Sequence, residues 1–105
     1  MPEIAVLVRL TAVEGKRDEA LAVLGRLVDA TESEPGTVQY TLASDVLDPS
    51  VIWFSELYAD QAALEAHATT STMAEVMGLL SGLVAGAAEM HQATVVRRKG
   101  APSSV

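Results

Sequence analysis

Apolar residues alternate with other residues in four segments of the chain and recur at helical spacing in the segments between them. The first segment, 4–10, is apolar at every second position, and two of the three positions in between are apolar as well. Such a strand is typical of the centre of a sheet or of a sheet face that meets another subunit. From Arg17 onward apolar residues return every three or four positions, which predicts an amphipathic helix. Its apolar face comprises Leu21, Leu24, Leu27 and Val28.

Turn residues separate these segments. Glu34-Pro35-Gly36 should end the first helix, because proline disfavours helical geometry in the residue before it, and glycine supplies the positive φ that a tight turn needs. Asp48-Pro49 predicts a hairpin connection between a strand around Tyr40 and a strand over 51–58.

Two helix starts follow the third strand. Asp60 is the predicted N-cap of a short helix that runs through His67. Thr72, with Glu75 three residues later, matches the capping box of a further helix. A last strand is predicted over 88–96. The resulting order, β-α-β-β-α-β, predicts a ferredoxin-like α+β domain over residues 1–98, followed by a disordered tail over 99–105.

Composition narrows the function classes. The chain has 105 residues, half of them hydrophobic, which is rich for one small domain and favours self-association. Its net charge of -7 would repel phosphate backbones and anionic lipid heads, so we expect no nucleic-acid or membrane partner. It contains no cysteine, and we find neither a membrane-spanning run nor the pattern of a signal peptide. We therefore expect a cytoplasmic protein.

Several of these features occur together in one known family. The Glu34-Pro35-Gly36 turn followed by Tyr40, the Asp48-Pro49 hairpin, the Glu56-x-Tyr58 strand end and the run 63–67 resemble the antibiotic biosynthesis monooxygenase family over residues 4–96. The resemblance implies an antiparallel ferredoxin-like sheet with helices on one face, which packs on the sheet of a second subunit as a dimeric α+β barrel. It also implies a small aromatic substrate, dioxygen and no cofactor.

The resemblance and the strand alternation together suggest the residues of a pocket between sheet and helices. His67 is the candidate proton acceptor, since its side chain titrates near neutrality, and Tyr58, where many relatives carry tryptophan, could bond a phenol or quinone oxygen. Each has a structural alternative: His67 as a helix-end cap or surface residue, and Tyr58 as a core residue. The predicted substrate contacts are Tyr40, Phe54, Glu56, Met73, Met77 and Val8.

The same alternation assigns the two sheet faces in the implied barrel. Val38, Tyr40 and Leu42 of one strand, with the even-numbered positions 52–58 of the next, should face the pocket. The odd-numbered residues Val51, Trp53, Ser55 and Leu57 should face the partner sheet. Glu56 on the pocket face would be a costly buried carboxylate unless paired, so it is either a proton acceptor or the partner of Arg9, Arg97 or a backbone amide.

The sequence gives less support to haem degradation and to a metal site. Haem-degrading relatives use an asparagine, a tryptophan and a histidine that align with Val8, His67 and Met77, so this branch lacks its ligand residues here. Two histidines without clustered carboxylates or thiols predict no metal site. Two hypotheses remain: a cofactor-independent monooxygenase acting on a phenolic, quinol or polyketide-like compound, and a non-catalytic dimeric binding or accessory protein of the same fold.

Overall fold

The structure is a computed structural model that describes residues 2–100. Four antiparallel strands form one sheet in the order β2-β3-β1-β4, and three helices complete the domain. This is the predicted ferredoxin-like α+β fold, in which the second helical segment consists of two short helices. In chain order the elements are β1 (Ile4–Thr11), α1 (Arg17–Ala30), β2 (Thr37–Ser44), β3 (Val51–Tyr58), α2 (Gln61–Ala68), α3 (Ser71–Leu79) and β4 (Glu89–Thr94).

The core lies between the helices and one face of the sheet. Val6, Val8 and Leu10 of the central strand β1 are buried, as the alternation predicted. Leu24 and Leu27 of α1 pack into the same cluster, so the amphipathic face of that helix is also confirmed. Further buried members are Ile52, Phe54, Tyr58, Leu64, Val76 and Leu80. The tail predicted over 99–105 lies outside the described residues from position 101 onward.

A β-bulge changes the start of β2. Thr37 pairs with Tyr58 and Gln39 pairs with Leu57, so Val38 is the extra residue of the strand. The bulge turns Val38 outward, where it is 48% exposed, and directs Thr37 to the helix side. The prediction that Val38 faces the pocket was therefore wrong, because parity counting assumes an unbroken ladder.

The turn before β2 brings the chain close to α2. The amide of Thr37 donates to the carbonyl of Glu34 at 3.1 Å, and Glu34 itself is extended, as expected before proline. Gly36 does not have the positive φ that we predicted. It is instead a site of close approach, since a Cβ placed there would lie 2.5 Å from the Cβ of Ala63. This contact fixes the distance between the turn and the first turn of α2.

Side chains cap both short helices. Asp60 accepts from the amide of Ala63 at 2.8 Å, which confirms it as the N-cap of α2. The N-cap of α3 is Thr70, whose hydroxyl accepts from the amide of Met73. The helix start that the capping box predicted at Thr72 is thus displaced by two residues. Thr70 is followed three residues later by Met73, not by glutamate or glutamine, so it is an N-cap without a capping box.

The other face of the sheet is partly open. Leu7 is 51% exposed and Ser55 is exposed, whereas Val51 and Leu57 are already buried within the subunit. Trp53 is half-buried, and its indole N–H donates to Oδ1 of Asp45 at 2.8 Å. Every residue of β4 is exposed. Within residues 2–100, none of the helices has the length and apolar character needed to cross a bilayer.

Candidate functional site

A cavity of about 290 Å³ lies between the inner face of the sheet and the helices. All four strands and all three helices contribute side chains to it, and most of these are apolar. Met77 and Met90, which are 55% and 56% exposed, mark the side on which the cavity reaches solvent. The volume is close to the lower end of typical small-molecule sites, which begin at about 300 Å³. The polar or ionisable residues of the wall are Tyr40, Glu56, Gln61, Glu65, His67 and Gln92.

His67 lies in the last turn of α2 with its ring turned inward. Its side chain is only 4% exposed, and Nδ1 lies 2.7 Å from Oε1 of Glu34. The hydroxyl of Thr37 donates to the same carboxylate oxygen at 2.8 Å. Because a carboxylate only accepts hydrogen bonds, Nδ1 carries the proton of this bond, and in the neutral form of the ring Nε2 holds the lone pair.

The second ring nitrogen is unsatisfied. Nε2 of His67 is buried and has no hydrogen-bond partner among the described residues. A buried polar atom without a partner is uncommon in folded proteins and is often found where a ligand or a reaction uses it. In its neutral form His67 therefore presents a free acceptor in an apolar cavity, held in one orientation by Glu34. Neither structural alternative for His67, a carbonyl cap or a surface side chain, describes this geometry.

Aromatic rings surround the imidazole. The ring of Tyr40 lies 4.9 Å from that of His67 and 5.0 Å from that of Phe54, measured between centroids. The ring of Tyr58 lies 5.4 Å from His67 on another side. Burial raises the pKa of both tyrosines, and the charges of Glu56 and Glu34 raise it further. Both phenols therefore stay protonated at neutral pH and cannot serve as bases.

Glu56 is the other buried ionisable group. It is 7% exposed, and the hydroxyl of Tyr58 donates to its Oε1 at 2.5 Å. Burial raises the pKa of the Glu56 carboxyl, while the Tyr58 hydrogen bond and the nearby His67 partly oppose that shift. The partner of Glu56 is thus a tyrosine two residues along the same strand face, and not Arg9, Arg97 or a backbone amide.

The structure brings most of the predicted site residues together. Seven of the eight line the cavity, namely Val8, Tyr40, Phe54, Glu56, His67, Met73 and Met77. Tyr58 lies behind the wall: it is fully buried, and its hydroxyl is used by Glu56. A direct contact between Tyr58 and a ligand is therefore disfavoured, and its position is that of a support for Glu56.

Sequence reasoning missed Glu34 and Thr37. Glu34 lies 33 positions before His67, and the sequence identifies it only as part of a turn. Thr37 reaches the site only because of the bulge at Val38. The one available signal was the carboxylate of Glu34 beside the Pro-Gly turn, because the strand after that turn packs beside α2. This position does not by itself identify a histidine as the partner of Glu34.

Comparison with known proteins identifies the family of this chain. The model of the family described as antibiotic biosynthesis monooxygenase matches residues 3–78. The chain belongs to this family. A search of curated proteins finds no match.

Solved structures of the family fold superpose well. A Caulobacter crescentus structure that carries the same family name has 26% identity and a TM-score of 0.87, with 91% of this chain and 92% of that chain covered. A Chloroflexus aurantiacus structure with the same family name has 26% identity, a TM-score of 0.78 and coverage of 93% and 97%. A Pseudomonas aeruginosa protein, at 24% identity, a TM-score of 0.85 and coverage of 92% and 97%, shows the shared fold.

Family membership and these neighbours support a monooxygenase at the level of the family. The matched region includes the Glu34 turn, His67 and Glu56. Among residues 2–100 there is no group of three or more histidine, aspartate, glutamate or cysteine side chains that could hold a metal ion. The ionisable side chains in or behind the cavity wall include His67, Glu34 and Glu56.

Proposed function

We propose that this protein is a monooxygenase that oxidises a phenolic, quinol or polyketide-like aromatic compound with dioxygen and without a cofactor. The observation that carries the proposal is the unpartnered Nε2 of His67, buried in an apolar cavity and backed by Glu34. A phenol that loses its proton becomes a far better electron donor, and a positioned base supplies that step.

In the first step Nε2 of His67 takes the proton of the substrate hydroxyl. The imidazolium that forms lies 2.7 Å from the Glu34 carboxylate, which stabilises the charge and keeps Nδ1 as the donor. Thr37 donates to the same oxygen of Glu34 and so holds the carboxylate in place. Glu34 and Thr37 are thus positioning residues for the base.

In the second step the phenolate gives an electron pair to dioxygen, and a C–O bond forms at a ring carbon that bears hydrogen. His67 returns its proton to the distal oxygen, which gives a hydroperoxide. Loss of water from that carbon leaves a carbonyl, so one oxygen atom stays in the quinone product and the other leaves as water. The low-polarity cavity holds the ring while these charges form and disappear.

The remaining wall residues would shape the substrate site. Tyr40 and Phe54 offer ring faces against which an aromatic ligand can pack, and Val8 forms the floor on β1. Met73 and Met77 are flexible and polarizable, so they can adjust to substrates of different outline.

A homodimer belongs to the same proposal. The half-exposed Leu7 on the open sheet face and the family resemblance support sheet-to-sheet packing of two subunits. Sedimentation of dilute protein tests this, and a strictly monomeric species would contradict it.

The test of function is oxygen uptake by metal-free protein with a panel of hydroquinones, naphthols and anthrone-like phenols. Loss of a general base lowers rates by about 10²- to 10⁴-fold, so His67→Ala should reduce protein-dependent uptake by that much. His91→Ala is the matched control, because this second histidine is exposed on β4 and does not line the cavity.

Uptake that persists in His67→Ala would refute the assignment of the base. No uptake by the wild type with any compound, together with thermal stabilisation by some of them, would favour the non-catalytic binding protein.

A further inference from the structure

Two buried side chains of the cavity wall, His67 and Glu56, can accept hydrogen bonds from a ligand. The imidazole ring offers the lone pair of Nε2, and the hydroxyl of Tyr58 is already donated to Glu56. A carboxylate has about four lone-pair sites, and the bond from Tyr58 is the one hydrogen bond that residues 2–100 give to the side chain of Glu56. Glu56 lines the cavity, so its unused sites are available to a ligand that donates.

The charge around these acceptors is negative. Glu56 and Glu65 line the cavity and Glu34 lies directly behind His67, while no lysine or arginine is among the wall residues in the described part of the chain. Charges of like sign repel strongly where water is scarce. An anionic ligand would meet this repulsion with no lysine or arginine in the described wall to offset it, whereas a neutral ligand would not.

The two acceptors lie at the same end of the cavity. Tyr58 connects them, because its ring lies 5.4 Å from that of His67 and its hydroxyl lies 2.5 Å from Glu56. Tyr40, whose ring is 4.9 Å from His67, is the register partner of Glu56 on β2. One small ring system can therefore face both groups.

From these contacts we infer that Glu56 is a specificity residue, and that the site selects uncharged aromatic ligands with two hydroxyl donors, one for Nε2 of His67 and one for the Glu56 carboxylate. The inference rests on the proposed function for the role of His67 as an acceptor toward substrate. It adds a second ligand contact, the hydrogen bond to Glu56, and the exclusion of anionic ligands by the negative charge of the site.

The test is anaerobic titration calorimetry with hydroquinone, resorcinol, catechol and their monomethyl ethers. A hydrogen bond to a charged acceptor changes affinity by about tenfold or more, so at least one diol should bind the wild type that much more tightly than its ether. In the same way, methyl 4-hydroxybenzoate should bind more tightly than the 4-hydroxybenzoate anion.

Two variants assign the effect to Glu56. Tyr58→Phe removes only the internal donor and should keep the preference for the diol. Adding Glu56→Leu to Tyr58→Phe replaces both partners by apolar groups, which is tolerated better than leaving one unpaired, and should bring diol and ether to within about threefold. Circular dichroism of each variant tests whether it is folded.

Several results would overturn the inference: equal binding of every diol and its ether by the wild type, no binding of any diol, or tighter binding of the anion than of its ester. The two proposals fail separately. His67-dependent oxygen uptake without a diol preference would remove only the role of Glu56, and a diol preference without uptake would remove only the oxygenase.

Discussion

Gly36 gives the sharpest test of how the turn before β2 positions the site. A Cβ at this position would lie 2.5 Å from the Cβ and 3.4 Å from the Cα of Ala63, against an optimal carbon–carbon separation of about 3.5–4.0 Å. In Gly36→Ala, the turn and α2 must therefore separate by about 1 Å. The nearer obstacle is attached directly to the backbone of a capped helix, so it cannot rotate away.

The expected cost is that of overpacking, about 1–3 kcal/mol of the free energy of unfolding. The same displacement separates Glu34, two residues before Gly36, from His67, one helical turn after Ala63. Their 2.7 Å hydrogen bond would not survive a shift of about 1 Å, since hydrogen bonds weaken beyond about 3.2 Å.

The assay is urea unfolding followed by circular dichroism at one fixed protein concentration, arranged as a double-mutant cycle. Ala63→Gly alone should cost about 1 kcal/mol, the usual penalty of glycine within a helix. Combined with Gly36→Ala it removes the clash, so the double variant should be more stable than the sum of the two single effects by about 1 kcal/mol or more.

Gly78→Ala is the matched control. Gly78 lies within α3, and a Cβ there would meet no heavy atom within 4 Å, so alanine should stabilise by up to about 1 kcal/mol through helix propensity. A Gly36→Ala protein as stable as the wild type, or strictly additive effects in the cycle, would refute the steric reasoning.

Two further changes test the buried carboxyl and the helix cap. The folded-state pKa of Glu56 is raised above its ordinary value of 4.5, so its contribution to stability is fully present below that pH and is lost as pH rises through the folded-state pKa. Glu56→Gln should therefore gain stability relative to the wild type between pH 4.5 and neutrality in urea titrations, and a difference independent of pH would contradict this. Asp60→Ala removes the acceptor for the Ala63 amide and should lower the free energy of unfolding by about 1 kcal/mol in the same assay. Asp18→Ala, at an exposed aspartate of α1, is the control and should have little effect. Equal losses of stability in the two variants would argue against the cap.

Much of the fold was predictable because single elements carry strong periodic signals. The apolar residues on both faces of β1 favoured either a central strand or a subunit contact, and the strand is central. The spacing of Leu24 and Leu27 identified the buried face of α1. Asp60 identified the start of α2 from its capping chemistry alone. These signals depend only on residues that are close together in the sequence, so the sequence alone reveals them.

The site was less predictable because its contacts are not local. The pairing of Glu34 with His67 depends on a turn, a close approach at Gly36 and a bulge at Val38, and each of these is a property of the assembled structure. The pairing of Glu56 with Tyr58 was within reach, since residues two apart on a strand share a face. A buried carboxylate is usually expected to pair with a cation, which is why the sequence suggested Arg9 and Arg97 as partners of Glu56.

Trp53 makes the outer face of the sheet observable independently of the cavity. It is the only tryptophan of the chain, it alternates with the inward-facing Ile52 and Phe54, and Asp45 holds its indole. Its fluorescence therefore reports on the outer surface of β3, whereas a molecule entering beside His67 lies on the opposite side of the strand. Indole emission that changes with protein concentration but not with ligand would record subunit association, and the native chain thus carries an optical probe that distinguishes assembly from occupancy.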